Sequence, residues 1–252
     1  MVWLLLLVVV IIAFYLIKNK VVIHLPSFFK KGFKLSSNKF GCYCATGKQG
    51  SGKTLYVITF LYDLRKRIPN MRVITNVKSF SDRNKDFVIY NDNFYDIINK
   101  FKDGTYNNSY VIFYDEIFTL LEKGKLDKSI LSFISQLRKR NLYLITTAQE
   151  WLEINVTFRR YVRYQIDCNM ISLPLFNCAL SINKINDGYQ MQWDNLQNEY
   201  IAPRIKTSIR KCSLKVANSY DTFEVIDENN NISSLKHNKY ARHYANNLRV
   251  RA

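Results

Sequence analysis

A chain of 252 residues with a formal net charge of +17 is long enough for one sizeable α/β domain, and it favours anionic partners such as nucleic acid or anionic lipid. Its five cysteines, Cys42, Cys44, Cys168, Cys178 and Cys212, form no C-x-x-C pair, and His24, His237 and His243 lie far from them in sequence, which argues against zinc. The thiols suit a reducing, cytoplasmic setting, and Cys42 and Cys44, two apart on one strand, read as core packing.

Residues 1–17 are apolar and uncharged, at the short end of a membrane-spanning helix, with Trp3, Phe14 and Tyr15 placed for the interfaces. A cleaved signal peptide would want a basic start and a small-x-small site, and neither is visible. The alternative is a buried core helix, but the stretch has no polar face to turn to water. Lys18, Lys20, Lys30, Lys31 and Lys34 follow, so the positive-inside rule puts the remainder in the cytoplasm and the N-terminus outside. Residues 18–38, with Pro26 and many lysines, read as a basic connector beside anionic headgroups.

A nucleotide-binding domain is expected over 39–168. Residues 40–46 read as a short buried strand and 55–64 as an apolar helix closed by Arg65, Lys66 and Arg67. Between them, Gly47, Lys48, Gln49, Gly50, Ser51, Gly52, Lys53 and Thr54 fit G-x-x-x-x-G-K-[ST], the phosphate-binding loop. Three of the chain's eight glycines fall here, so background glycine content does not explain the match. Wrapping a polyphosphate requires several inward N–H groups in conformations that suit glycine. Lys53 is placed for the β- and γ-phosphates of ATP, Thr54 for Mg²⁺, and the helix start for the anion.

Strands are expected at 71–77 and 86–90, a helix at 93–102 and a turn at 103–108. Residues 110–116 form a continuous apolar run ending in Asp115 and Glu116, the pattern of a central parallel strand buried on both faces. In that setting Asp115 supports Mg²⁺ and Glu116 polarises the attacking water. The competing reading is a pair of acids at a helix N-terminus. A helix over 127–140, ending in Arg138, Lys139 and Arg140, leads to a buried strand at 142–147. Gln149 at its tip either senses the γ-phosphate or is an ordinary polar residue at a strand end. Residues 157–163 are a short basic segment and 164–168 a fifth strand. Beyond lies a β-rich region, 169–235, in which 180–183 and 189–193 around Asn186, Asp187 and Gly188 read as a hairpin. The tail, 236–252, is basic and either binds nucleic acid or lipid or is a solvated end.

The stretches CATGKQGSGKT, RVITNVKSF, YVIFYDEIF and SQLRKRNLYLITTAQEWLEINVTFRRYVRYQIDC resemble the zonula occludens toxin-like morphogenesis ATPases of filamentous phages, within the larger FtsK/HerA-like group of DNA-pumping ATPases. The resemblance covers roughly residues 40 to 170, and Thr75-Asn76 after the second strand belongs to it. It implies a P-loop NTPase fold, mostly parallel in its central sheet, and an ATPase at the host cell membrane. Such an enzyme drives phage assembly and extrusion by moving phage DNA, expected single-stranded, into the virion with coat or export proteins as partners. Lys53, Thr54, Asp115 and Glu116 take the roles given above, and Gln149 matches that group's strand-tip Gln. Such motors act as homo-oligomeric rings with an arginine reaching a neighbour's γ-phosphate, and Arg138, Arg140, Arg159 and Arg160 are the candidates. In filamentous phages the anchor follows the ATPase domain, whereas here it is expected to precede it, which together with the Lys-, Asn- and Ile-rich composition suggests a plectrovirus-like phage. Two other readings are a packaging ATPase of a membrane-containing virus and a nucleotide-binding assembly scaffold without hydrolysis.

Overall fold

The computed structural model of the chain describes residues 2–18, 21–23, 40–102, 110–117, 127–152, 154–173, 178–190, 192–194 and 199–221. The expected turn at 103–108 falls wholly outside them, as do most of the 18–38 connector and the whole 236–252 tail. The elements in order are α1 (Val2–Lys18), β1 (Val21–Ile23), β2 (Gly41–Thr46), α2 (Lys53–Arg67), β3 (Arg72–Thr75), α3 (Lys78–Arg83), β4 (Val88–Tyr90), α4 (Phe94–Lys102), β5 (Tyr110–Tyr114), α5 (Lys128–Gln136), β6 (Tyr143–Ala148), α6 (Val156–Arg159), β7 (Val162–Leu173), β8 (Cys178–Asp187), β9 (Gln192–Asp194), β10 (Glu199–Ile201), β11 (Arg204–Lys211) and α7 (Leu214–Ala217).

Nine strands form one sheet in the order β1-β11-β8-β7-β2-β6-β5-β3-β4. The six from β7 to β4 are mutually parallel. Helices cover both faces of this part, so β2, β5 and β6 read as unbroken apolar runs rather than alternating ones. Side chains still alternate between two cores. Tyr43 and Ala45 face one, with Leu55, Ile58 and Leu61 of α2. Cys42 and Cys44 face the other, with Phe94 and Ile98 of α4 and Phe133 of α5. Both cysteines are free and buried; burial pushes the Cys42 thiol well up and the Cys44 thiol up to about 12, which leaves them inert.

Two strands of the β-rich C-terminal stretch, β8 and β11, join this sheet, and the boundary expected at residue 168 falls inside β7. Twelve residues long, β7 pairs with β2 through its first half and runs on beyond it, and β8 pairs antiparallel along its length. A part-buried ion pair fastens this extension to α2: Arg210 Nη1 of β11 lies 2.7 Å from the buried Asp63 Oδ2, and Lys66 Nζ lies 2.8 Å from Oδ1. Burial would raise the Asp63 pKa, but the bonds from Arg210 and Lys66 outweigh it and hold the carboxyl below its usual range.

The expected hairpin of 180–183 with 189–193 does not form among the described residues. Instead β8 pairs with β7 on one edge and β11 on the other, while β9 pairs with β10 in a separate two-stranded sheet. The turn at Gly188 is the reason. Its N–H donates to the Arg163 carbonyl at 3.0 Å, and a Cβ placed there would lie 2.1 Å from the Val162 carbonyl oxygen. The chain therefore turns away while pressed against β7, and only glycine permits the approach. Gly188→Ala is expected to cost about 3 kcal/mol of stability, since backbone cannot yield as a side chain does; a denaturant titration measures it.

Among the described residues, no helix is long and apolar enough to cross a membrane. The span expected over 1–17 is a helix of 17 residues, Val2–Lys18, reaching about 25 Å against a hydrocarbon thickness of about 30 Å. Leu7, Val10, Ile11, Phe14 and Ile17 on it are all more than half exposed.

Candidate nucleotide site

The carboxyl ends of β2, β6 and β5 lie side by side, with β6 between the loop strand and the carboxylate strand. A crevice at this edge is where open parallel sheets place ligands.

The loop after β2 is built on backbone that glycine favours. Gly47 (φ 146°), Gly50 (φ 78°) and Gly52 (φ 83°) all have positive φ. At Gly47 space is equally decisive, because a Cβ would sit 2.6 Å from the Cys168 carbonyl oxygen of β7. Gly52 caps α2 with no side-chain hydrogen bond, so the helix start keeps its N–H groups for an anion. Ser51 Oγ is buried and without a hydrogen-bond partner among the described residues.

Lys53 is 9% exposed, its Nζ donating to the carbonyls of Gly47 at 2.8 Å and Lys48 at 3.2 Å. The ammonium is thus curled inside the loop, held by dipoles that phosphate oxygens can replace. Thr54 Oγ1 donates to Asp115 Oδ2 at 3.1 Å, across 61 residues of sequence. This contact joins the two motifs. Asp115 is 7% exposed, and the Thr147 hydroxyl of β6 also donates to its Oδ1. Burial pushes the Asp115 carboxyl up to about 6; the Thr147 bond opposes this, the Glu116 charge adds to it, and Thr54 and Lys53 oppose it. A buried acid so disfavoured as an anion, touching a hydroxyl beside a phosphate-binding loop, has the donor set for a hard divalent cation. The residues therefore fit ATP with Mg²⁺: the loop and Lys53 for the phosphates, Thr54 and Asp115 for the metal.

Glu116 follows Asp115 in a left-handed conformation (φ 53°), which costs a non-glycine residue about 1 kcal/mol or more and persists only where the surroundings dictate it. Its N–H donates to Thr147 Oγ1 at 2.8 Å. Gln149 meets the loop through its backbone, its carbonyl accepting from the Gly47 N–H at 3.1 Å, while its side chain is exposed. The four arginines separate. Arg138 and Arg160 are exposed, whereas Arg140 donates to Gln136 Oε1 on its own helical turn, at 2.8 Å from Nη2. Arg159 is 9% exposed, its guanidinium 5.9 Å from the Trp151 ring.

Two residues at the site went unassigned in the sequence. Asn76, just past β3, is 3% exposed, and Thr147 is fully buried. Thr75-Asn76 enters the sequence reading only through the family resemblance, with no role attached, and otherwise both are polar residues at the end of an apolar strand, which are common.

No family model matches the sequence, and no curated protein does. Among solved structures, the chain is similar to the N-terminal domain of zonular occludens toxin from Neisseria meningitidis, with 15% identity and a TM-score of 0.45, covering 72% of this chain and 98% of that one. It is also similar to the genome packaging NTPase B204 of Sulfolobus turreted icosahedral virus 2, with 16% identity and a TM-score of 0.43, over 70% of this chain and 98% of that one. A third is the flagellar accessory protein FlaH of Methanocaldococcus jannaschii, with 13% identity and a TM-score of 0.40, over 57% and 77%. Each is a likeness of fold, and none speaks to what this chain binds or does.

Proposed function

We propose that this chain is a Mg²⁺-dependent ATPase that couples hydrolysis to moving phage DNA during virion assembly at a host membrane. The contact of the Thr54 hydroxyl with the Asp115 carboxylate carries the reading, because it puts the phosphate loop and the acidic strand tip around one volume. Lys53 and the loop N–H groups bind and orient the phosphates, Thr54 and Asp115 hold the metal, and Glu116 takes the proton of the attacking water. Bound Mg²⁺ supplies charge neutralisation at the phosphates.

The net charge of +17 supports a nucleic-acid partner. The exposed apolar surface of α1 supports attachment to a bilayer, with the ATPase domain on the cytoplasmic side. In a ring of copies, Arg138 and Arg160 are, of the four candidate arginines, the two with the exposure needed to reach a neighbour's site.

The test is ATP turnover by the detergent-solubilised full chain, with and without Mg²⁺ and with single- or double-stranded DNA. Turnover is expected to require Mg²⁺, to rise severalfold with DNA, and to fall about 10²-fold or more in Lys53→Ala. DNA-stimulated turnover that survives Lys53→Ala sinks the reading, and turnover indifferent to DNA removes the translocation part of it.

A further inference from the structure

The tip of β5 is gripped from both sides. From β3, the Asn76 carboxamide closes a ring on the backbone of Asp115, donating from Nδ2 to its carbonyl at 3.0 Å and accepting from its N–H at 2.8 Å. The two groups extend the ladder that pairs Thr75 with Phe113, one side chain standing in for a further strand residue. From β6, one hydroxyl does two jobs. Thr147 Oγ1 donates to Asp115 Oδ1 and accepts from the Glu116 N–H. The carboxylate oxygens are thereby divided, with Oδ2 nearer the loop hydroxyl of Thr54, at 3.1 Å against 3.4 Å for Oδ1, and Oδ1 bonded to β6.

We propose that Asn76 and Thr147 are positioning residues for the Asp115–Glu116 pair, the Thr147 hydroxyl carrying any shift of the Asp115 carboxylate to the backbone of Glu116. The proposal rests on the ATPase reading above. Two observations support it together. Glu116 sits at φ 53°, where a glutamate stays only if its neighbours hold it, and the backbone groups leading into that bend are the ones Asn76 and Thr147 bond. Both side chains are buried among strands, so they act through the acids rather than on solvent. A hydroxyl that joins one acid's carboxylate to the next acid's N–H makes the two move as a unit. Removing it frees the Asp115 carboxylate to rotate and leaves the Glu116 N–H without its partner.

Thr147→Val keeps the shape of the side chain and removes the hydroxyl, whereas Thr147→Ser keeps the hydroxyl. The full chain and both variants are compared for kcat with Mg²⁺ and ATP, and for the Kd of a fluorescent non-hydrolysable ATP analogue. The expected result is a loss of about 10²-fold in kcat for Thr147→Val, with Kd within about twofold and recovery in Thr147→Ser, since a small misplacement of a catalytic group costs that much. Thr147→Ala replaces Thr147→Val if the latter does not fold, as judged by its melting curve. Wild-type kcat in the hydroxyl-free variant, or a Thr147→Ser variant as slow as it, overturns the proposal while wild-type turnover keeps the ATPase reading alive. A wild-type protein that hydrolyses no ATP overturns both.

Discussion

Glu116→Gln is expected to lower kcat for ATP hydrolysis by about 10³-fold while nucleotide still binds, since a positioned general base contributes about 10² to 10⁴. The substitution is close to isosteric and removes only the ability to accept a proton. Glutamine tolerates the positive φ at this position no worse than glutamate, and the N–H bonded to Thr147 is unchanged. Lys53, Thr54 and Asp115 keep their contacts, so the Kd of a fluorescent ATP analogue should move by less than about threefold, the scale of one weak rim contact. Single-turnover measurement separates the two effects. A drop in kcat of less than tenfold would assign the proton to another group, with the exposed Gln149 amide left only to orient the water.

Asp115→Asn is expected to make the nucleotide-free protein more stable and the enzyme inactive. Burial raises the Asp115 carboxyl to about 6, above its ordinary 3.8, so the folded state holds this proton more tightly than the unfolded one. Stability from this group is therefore greatest below about pH 4 and is lost as pH rises through about 6. At neutral pH the anion costs on the order of 3 kcal/mol, which the amide avoids. Asparagine also fits the bonding, since its oxygen can accept from Thr147 and its nitrogen can donate to Thr54. Melting in EDTA at pH 7.5 should rise by about 5 °C or more in the variant, and the gap should close as pH falls below about 6. Added Mg²⁺ and ATP analogue should then stabilise the wild type and not the variant, because only the wild type keeps the metal carboxylate. A variant that melts below the wild type at every pH would show that the carboxylate's hydrogen bonds outweigh its burial.

Much of the site was legible because its chemistry is contiguous. Gly47 to Thr54 are eight consecutive residues whose types follow from phosphate geometry, and the apolar run into Asp115 and Glu116 announces a strand buried on both faces. The reading of the C-terminal part failed at Gly188 because the Asn186-Asp187-Gly188 turn looks the same whether the strands beside it pair together or apart. The outcome was decided by β7, whose Val162 carbonyl occupies the space a side chain at 188 would need. The Asn76 and Thr147 grips were hidden for a related reason. A polar residue ending an apolar strand is ordinary, and these two gain meaning only from the registers that set β3 and β6 on either side of β5.

By itself, then, the sequence determined the phosphate loop, the acidic strand end and the parallel character of the strands carrying them. In each case a short run of neighbouring residues meets a local backbone or burial requirement. Only the tertiary structure decided that β6 lies between the two motifs, that Thr54 touches Asp115, and that β8 and β11 extend the same sheet. Those outcomes depend on which surfaces, distant along the chain, fit together with their backbone groups bonded, and no local pattern encodes that fit.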